Sequence, residues 1–363
     1  MMRWYIHSLV TALFLFPALL YGALTVFATE VAHAAAAATR EPHIALLLPL
    51  NSSSLGPHAD AVRQGFVAAA RVAGKDAPAI RVYPVNEDTI NLLTMYERAV
   101  ESGAQIVIGP LTRNGVATLA ASNVITVPTL ALNALESHAQ QPSRMYLFGL
   151  SIEFEARQIA QIAFKDGRRK AYVVNDDSPL SKRMRQAFLE EFARLGGMTI
   201  GEFSYGTDQS SLSRIRDAAA LGVADMSFLA LDAVHAGTVR PYLGKSLSMY
   251  ATSQVNNGKV PAKGSELNGV KFVDMPWMLL ADHPAVMVYP RPQFGDAVDF
   301  DRLYAMGIDA FRIGLELLRP NSDPVLDGVT GRLRLTRDQQ FVRELTSAQF
   351  VDGKVIVSGT APR

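Results

Sequence analysis

Residues 43–74 read HIALLLPLNSSSLGPHADAVRQGFVAAARVAG, which is an apolar run followed by a small polar loop and an amphipathic helix. The run from Ile44 to Leu48 is apolar on both faces, as is typical of a strand buried within a parallel sheet. Pro49 ends the strand because proline has no N–H to donate to the ladder. This order predicts the first half of a βαβ unit, whose loop lies at the edge where open α/β sheets bind ligands.

The composition is that of an ordinary globular protein with enough chain for two lobes. The chain has 363 residues, of which 49% are hydrophobic and 19% are charged. Its 35 basic and 34 acidic residues give a formal net charge of +1. Without a long run of one sign, we expect no nucleic-acid partner and no anionic membrane surface. The chain has no cysteine, which excludes disulfides, thiolate nucleophiles and cysteine metal sites and predicts no lipid anchor.

Residues 1–34 have the pattern of a signal peptide. Arg3 provides a positive start, Leu9–Val26 is an apolar stretch, and Ala32-His33-Ala34 matches the small-x-small pattern of a cleavage site. We expect cleavage near Ala34 and export to the periplasm. The alternative is an uncleaved membrane anchor, because the apolar stretch approaches the length of a membrane span.

The remaining chain alternates predicted strands and helices in two successive series, and the second series fills residues 150–252. This alternation predicts a doubly wound α/β fold. Ser178 is placed to cap a helix that begins with Pro179. Later segments read as a strand at 270–274, a long surface loop at 282–296, a helix at 297–318 and a hairpin between 333 and 345. Trp277 is either a surface contact or a cover on the core, and we favour the core.

Catalytic and cofactor motifs are absent from the sequence. It contains no G-x-G fingerprint, no P-loop, no G-x-S-x-G elbow and no H-E-x-x-H. Its seven histidines are scattered without the spacing of metal ligands. Asp176 and Asp177 are better explained as a turn that leads into a helix than as an acid/base or metal pair. We therefore predict no catalytic residues, no metal and no cofactor.

Small or polar residues follow several of the predicted strands. If both lobes direct these loops at one cleft, the cleft would suit a small polar ligand. The alternative is that they are ordinary turn and capping residues, and the sequence leaves both interpretations open. The candidates are Ser52, Ser53, Ser54, Leu111, Thr112, Asn133, Ser151, Asp232, Ser253 and Gln254.

Several stretches resemble known proteins. The opening of type I periplasmic binding proteins is similar to IALLLPL (44–50) with AVRQGFVAA (61–69), and later strands of that fold are similar to IVIGPL (106–111) and VPTLALN (127–133). A narrower group, the LppC/LpoA-like activators of penicillin-binding proteins, resembles this chain in its C-terminal domain. The stretches that carry this second resemblance are FGLSIEFEARQIA (148–160), SFLALDA (227–233), MYATSQV (249–255), VKFVDMPWML (270–279), RLYAMGIDAFR (302–312) and LDGVTGRLRLTRDQQFVREL (326–345). DMPW and RLYAMGIDAFR are the most specific of them.

The resemblance covers roughly residues 43–355 and implies an architecture. The fold would be α/β, with two Rossmann-like lobes that have parallel sheets and are joined by three crossovers, as in type I periplasmic binding proteins. Lobe one would hold residues 43–149 and 254–318. Lobe two would hold residues 150–253 and 319–363.

The resemblance also implies a function. Family members are outer-membrane lipoproteins that stimulate a bifunctional peptidoglycan synthase from the periplasmic side. We therefore expect an exported, non-enzymatic regulator of peptidoglycan synthesis that activates a penicillin-binding protein by protein contact. Two features that the resemblance would imply are not found in this sequence. One is the lipidation cysteine, which bears on outer-membrane anchoring, and the other is the helical-repeat domain of longer members, which bears on reach to an inner-membrane synthase. The alternative function is a periplasmic solute-binding receptor of an ABC-type transporter, with a small polar ligand in the cleft.

Overall fold

The computed structural model describes residues 40–135, 140–206, 209–244, 246–258, 266–295, 297–319 and 324–358. The predicted signal peptide at 1–34 lies outside these residues. Within the described ranges, every helix is too short or too polar to cross a membrane.

The first lobe is built on a parallel sheet. Its strands are β1 (His43–Leu48), β2 (Ile80–Pro84), β3 (Ala104–Ile108), β4 (Thr129–Ala131) and β5 (Met145–Leu147), and its first helices are α1 (Gly56–Ala73), α2 (Thr89–Glu101) and α3 (Arg113–Ala120). The five strands lie in the order β2-β1-β3-β4-β5. Every residue of β1 is buried, as its uninterrupted apolar run predicts for a central strand. The opening stretch therefore forms the predicted strand, loop and helix.

The remaining elements begin with a helix at residue 152. The helices are α4 (Ile152–Lys165), α5 (Pro179–Arg194), α6 (Gln209–Ala220), α7 (Ala233–Val239), α8 (Pro276–Leu279), α9 (Pro284–Met287) and α10 (Val298–Leu317). The strands are β6 (Lys170–Asn175), β7 (Met198–Ser204), β8 (Met226–Ala230), β9 (Ser248–Ala251), β10 (Lys271–Asp274), β11 (Val325–Asp327), β12 (Arg332–Leu335), β13 (Phe341–Glu344), β14 (Thr346–Val351) and β15 (Lys354–Val357). Ser178 caps α5 as predicted, because its side chain accepts from the N–H of Ser181 at 3.2 Å. The predicted loop at 282–296 contains the short helix α9, whose Val286 is buried, so this segment is not wholly surface loop.

The second sheet has seven strands in the order β15-β14-β10-β9-β8-β6-β7. The pairs among β6 to β10 are parallel, whereas β14 runs antiparallel to both β10 and β15. β10 lies within residues 254–318, which we assigned to lobe one, and that assignment is wrong for this strand. The reason is apolar packing: Phe272 of β10 stacks on Phe350 of β14, with ring centroids 4.6 Å apart.

A third, antiparallel sheet consists of β11, β12 and β13. Leu335 faces Phe341 across β12 and β13, which confirms the predicted hairpin. Gln340 forms an isolated bridge with Leu147 at the end of β5, while β13 leads directly into β14. We predicted that residues 319–363 belong to lobe two. Their described part, 324–358, is divided between the second sheet and a sheet that also contacts the first lobe.

Helix α10 returns to the first lobe and packs on α1. A Cβ atom added to Gly307 would lie 2.0 Å from the carbonyl oxygen of Val62, and one added to Gly65 would lie 1.9 Å from that of Tyr304. Glycine is therefore required at both positions for the two backbones to approach so closely. Trp277 is only 1% exposed, and its burial confirms the core interpretation. Two Rossmann-like α/β lobes with parallel sheets are present, as predicted.

Candidate functional site

The loop after β1 surrounds a carboxylate. The hydroxyls of Ser52 and Ser54 both donate to Oε1 of Glu87, the latter at 2.9 Å, and Ser53 is exposed. Hydrogen bonds from Ser52 and Ser54 hold the pKa of Glu87 below its usual value. Glu87 is therefore ionised at neutral pH, and the loop presents a negative charge rather than a cradle for an anion.

A small cavity of about 180 Å³ lies beside this loop, and Leu111, Thr112 and Glu87 are among its lining residues. Thr112 caps α3 by accepting from the N–H of Gly115 at 3.0 Å. Asn133 donates through Nδ2 to the carbonyl oxygen of Leu111 at 2.9 Å. The described lining comes entirely from the first lobe. Small-molecule sites usually enclose at least about 300 Å³, so this cavity is small for a ligand.

The corresponding edge of the second sheet carries Asp176, Asp232 and His235. Asp232 caps α7, and its Oδ1 accepts from the N–H of His235 at 2.8 Å. The Nδ1 atom of His235 lies 3.3 Å from Oδ2 of Asp176 and 3.4 Å from Oδ2 of Asp232. No group of histidines and carboxylates in the described part of the chain could hold a metal ion.

Glu153 at the start of α4 connects the two lobes. Its Oε1 lies 2.9 Å from Nη2 of Arg113 on α3 and 3.4 Å from Nη1 of Arg183 on α5. Ser151, another predicted candidate, donates to its Oε2 at 2.7 Å. Burial raises the pKa of Glu153, but hydrogen bonds from Ser151 and Arg113 and the charge of Arg183 outweigh burial and hold this pKa below its usual value. An ionised cluster therefore links α3 of the first lobe to α4 and α5 of the second.

Ser253 lies in a buried network at a crossover between the lobes. Its N–H donates to Oε2 of Glu155 at 3.1 Å, and its carbonyl oxygen accepts from Nη2 of Arg302 at 3.1 Å. The same Nη2 donates to Oδ2 of Asp274 at 2.9 Å. The side chains of Arg302 and Asp274 are 9% and 1% exposed. Gln254, the next candidate, is partly buried beside this network.

The network extends to the third sheet through Arg343 of β13. This arginine donates to the carbonyl oxygen of Thr330 at 3.3 Å and to Oε1 of Glu155 at 3.4 Å. Asp309 of α10 accepts from the backbone N–H of Thr330 at 2.8 Å and from its hydroxyl at 2.7 Å. Buried charges thus connect α4, β10, α10 and the third sheet, and the crossovers pass between these elements.

These buried charges were not predicted as a set from the sequence. The signal was nevertheless in the most specific stretches of the resemblance, because DMPW contains Asp274 and RLYAMGIDAFR contains Arg302 and Asp309. Of the ten candidates, Leu111 and Thr112 line one cavity, and most of the polar ones form hydrogen bonds with other groups of the protein. A ligand-binding role for the ten stays a prediction.

Curated relatives of this chain are activators. It is 26% identical over 324 residues to the penicillin-binding protein activator LpoA of Pantoea ananatis, a match that covers 76% of this chain and 47% of that protein. It is 30% identical over 333 residues to LpoA of Haemophilus ducreyi, with coverages of 86% and 54%. The chain therefore spans about half the length of these relatives.

Two solved structures have the same fold. A protein from Chromobacterium violaceum, described as a "putative branched-chain amino acid ABC transporter", is 37% identical with a TM-score of 0.74, and the match covers 85% of this chain and 100% of that one. The C-domain of LpoA from Haemophilus influenzae, described as a regulator of PBP1A, is 22% identical with a TM-score of 0.74, and coverages are 87% and 99%. Both confirm the predicted periplasmic binding protein architecture.

The family comparison covers most of the chain. The family model described as "LppC putative lipoprotein" matches residues 22–221 and 223–353. These ranges include the first sheet, the third sheet, the buried network and all strands of the second sheet except β15. The chain belongs to the LppC family.

Proposed function

We propose that this protein is an exported, non-enzymatic regulator of peptidoglycan synthesis, which activates a penicillin-binding protein by direct contact in the periplasm. Curated relatives named as penicillin-binding protein activators support this function. The predicted signal peptide at 1–34 is consistent with a periplasmic partner. The partner we propose is a bifunctional peptidoglycan synthase.

The buried network at the crossovers is the observation that carries the proposal. A receptor that closes on a solute needs hinge residues that change their backbone angles. Here the backbone of Ser253 is held at two groups: its N–H donates to Glu155, and its carbonyl oxygen accepts from Arg302. Separating one partner from a buried ion pair leaves an uncompensated charge and costs about 3–5 kcal/mol. A body whose lobes are fixed in this way suits a protein that presents a constant surface to a partner.

Binding to the synthase tests the proposal directly. The chain without residues 1–34, called the exported chain below, is immobilised. The full-length bifunctional synthase of the same bacterium is passed over it in biolayer interferometry. We expect a dissociation constant of about 1 μM or tighter, which corresponds to about −8 kcal/mol of binding free energy. Failure to bind at concentrations well above this value would contradict the proposed function.

A receptor function is the second candidate, because the Chromobacterium violaceum protein described as a "putative branched-chain amino acid ABC transporter" is 37% identical to this chain. A receptor would bind a small polar ligand between the lobes. The test is thermal unfolding of the exported chain with and without single amino acids, including leucine and valine. We expect no shift, whereas a rise of several degrees with one amino acid would favour the receptor.

A further inference from the structure

We propose that a basic groove between α4 and the third sheet is the docking site for an acidic, partly apolar peptide segment of the protein's partner. The identity of that partner rests on the function proposed above. The groove lies outside the ten candidates for the cleft, and its volume is about 650 Å³.

The two walls of the groove follow from the periodicity of their elements. One wall is a single stripe of α4 with helical spacing, formed by Phe154, Arg157, Gln158, Gln161, Ile162 and Lys165. The other wall is formed largely by one face of the third sheet, with Val325, Arg332, Arg334, Val342 and Glu344. On β12, Arg332 and Arg334 are exposed on this face, and Leu333 between them is buried on the other.

The charges in the groove are mainly positive. Arg157 and Lys165 project from the helix and Arg332 and Arg334 from the sheet, against Glu344 as the carboxylate of the described lining. Among the residues that the structure describes, Arg332, Arg334 and Lys165 have no carboxylate partner within 4.0 Å. Arg157 reaches Glu190 only at 3.9 Å. These cations are available to an anionic partner, and partly enclosed charges of one sign attract the opposite sign.

Apolar side chains alternate with the cations. Phe154 and Ile162 lie on the helical wall and Val342 and Val325 on the sheet wall, and Val325 is 55% exposed. A free inorganic anion would leave these apolar groups in water. A segment that carries both carboxylates and apolar side chains would cover them and pair the cations.

The shape of the groove favours a peptide over a membrane surface. The helical stripe runs from Phe154 to Lys165, which corresponds to about 16 Å along the helix axis. An extended peptide of about five residues has this length. A groove of this length and of about 650 Å³ admits one extended chain, whereas a lipid surface would contact only its rim.

The groove is also held in place before any partner binds. Gln158 donates to the carbonyl oxygen of Leu345 at 2.9 Å, and the N–H of Leu345 donates back to Oε1 of Gln158 at 3.0 Å. Beneath them, Arg343 is bonded to Glu155 at 3.4 Å. These bonds fix the sheet against α4, so little conformational entropy is lost on binding.

The first experiment uses a short fluorescent peptide that alternates Glu and Leu, with fluorescence anisotropy as the readout on the exported chain. The variant Arg332→Gln/Arg334→Gln removes two groove cations and avoids placing new carboxylates opposite Asp327 and Glu344. We expect it to bind the peptide about tenfold more weakly. The control Lys75→Gln/Arg214→Gln removes two exposed cations elsewhere and should change the affinity by less than about twofold.

A second variant, Arg157→Gln/Lys165→Gln, tests the helical wall independently and should also lose about tenfold. Equal binding of the Glu–Leu peptide to the wild type and both groove variants would overturn the proposal. If a Glu–Ser peptide binds as tightly as the Glu–Leu peptide, the groove is a site for small anions only. That result would also overturn the proposal. So would sedimentation with phosphatidylglycerol vesicles that is lost in the groove variants while peptide binding is unchanged.

A second arm uses the full-length synthase and separates this inference from the proposed function. If the wild type and the groove variants bind the synthase equally, the docking site is wrong and the proposed function stands. If the wild type binds the Glu–Leu peptide in the groove but does not bind the synthase, the proposed function is wrong and the peptide site stands for another partner. We expect binding of the synthase to weaken in both groove variants and not in the control.

Discussion

One nitrogen of Arg302 faces three buried acceptors at the crossover. Its Nη2 lies within hydrogen-bond distance of the carbonyl oxygens of Ser253 and Asn256 and of Oδ2 of Asp274. Because removing a charge from water is costly, a guanidinium this deeply buried is tolerated only when it is paired. The pairing fixes α10 relative to β10 and to the crossover that contains Ser253.

Replacing Arg302 with Met should destabilise the protein strongly. The variant leaves the carboxylate of Asp274 buried without its guanidinium, and we expect a loss of about 3–5 kcal/mol in urea unfolding. The control Arg319→Met removes a 66% exposed guanidinium after the end of α10 and should cost less than about 0.5 kcal/mol. Adding Asp274→Leu to Arg302→Met should recover part of the loss. A loss below about 1 kcal/mol would show that the pair does not fix the crossover.

Glu153 should give the stability a distinct dependence on pH. Its pKa is lower in the folded protein than in the unfolded chain. Its stabilising contribution is therefore complete above its unfolded pKa of about 4.3 and is lost as the pH falls through the lower, folded pKa. Because Arg113 is 45% exposed, solvent screens the pair, and we expect Glu153→Gln to cost only about 1 kcal/mol at pH 7. The difference in free energy of unfolding between Glu153→Gln and the wild type should vanish at acidic pH.

Urea unfolding of both proteins at several pH values between neutral and strongly acidic measures this difference. The matched control is Glu190→Gln, since Glu190 is 55% exposed and lies 3.9 Å from its nearest guanidinium. This control should cost less than about 0.5 kcal/mol at pH 7. If the difference in free energy of unfolding between Glu153→Gln and the wild type grows as the pH falls, the pKa of Glu153 is not lowered in the folded protein.

Among the elements, the contact between α1 and α10 joins the first helix of the described chain to the last. The backbones approach so closely at Gly65 and Gly307 that neither position has space for a methyl group. Phe66 of α1 and Phe311 of α10 pack edge to face beside this contact, with ring centroids 5.2 Å apart. This contact places the late helix in the first lobe.

Gly307→Ala should disrupt the helix contact. The added Cβ would lie 2.0 Å from the carbonyl oxygen of Val62, which is backbone and cannot turn away. We expect a loss of about 3 kcal/mol in thermal or urea unfolding. Gly314→Ala on the same helix is the control, since its Cβ would meet only the end of the Ile108 side chain at 3.1 Å. Equal losses in both variants would mean that the backbone contact is not the cause.

Local patterns explain which elements the sequence predicted correctly. The apolar run of β1, the cap at Ser178 and the hairpin of β12 and β13 depend on neighbouring residues, and all three are present. The placement of β10 and the existence of β14 and β15 depend on pairing between strands far apart in the chain, which periodicity does not report. The buried ions were missed because arginine and aspartate are usually exposed. Only their three-dimensional pairing distinguishes them from surface charges.

At the scale of the whole molecule, the protein is a two-lobed body fixed by internal ion pairs. Glu153 links α3 to α4 and α5, and Arg302 and Arg343 tie the crossovers and the third sheet to both lobes. The basic groove is built on α4, the helix that carries both Glu153 and Glu155. A partner docked in the groove would therefore contact a surface whose position is set by the same ion pairs.

The rate of glycan polymerisation by the full-length bifunctional synthase is the most direct test of whether this protein activates it. The rate is measured with its natural precursor, alone and with an excess of the exported chain. We expect the wild-type chain to raise this rate several-fold, the control Lys75→Gln/Arg214→Gln to raise it equally, and Arg332→Gln/Arg334→Gln to raise it less. An unchanged rate, with the synthase active and the chain folded, would show that the protein does not activate the synthase.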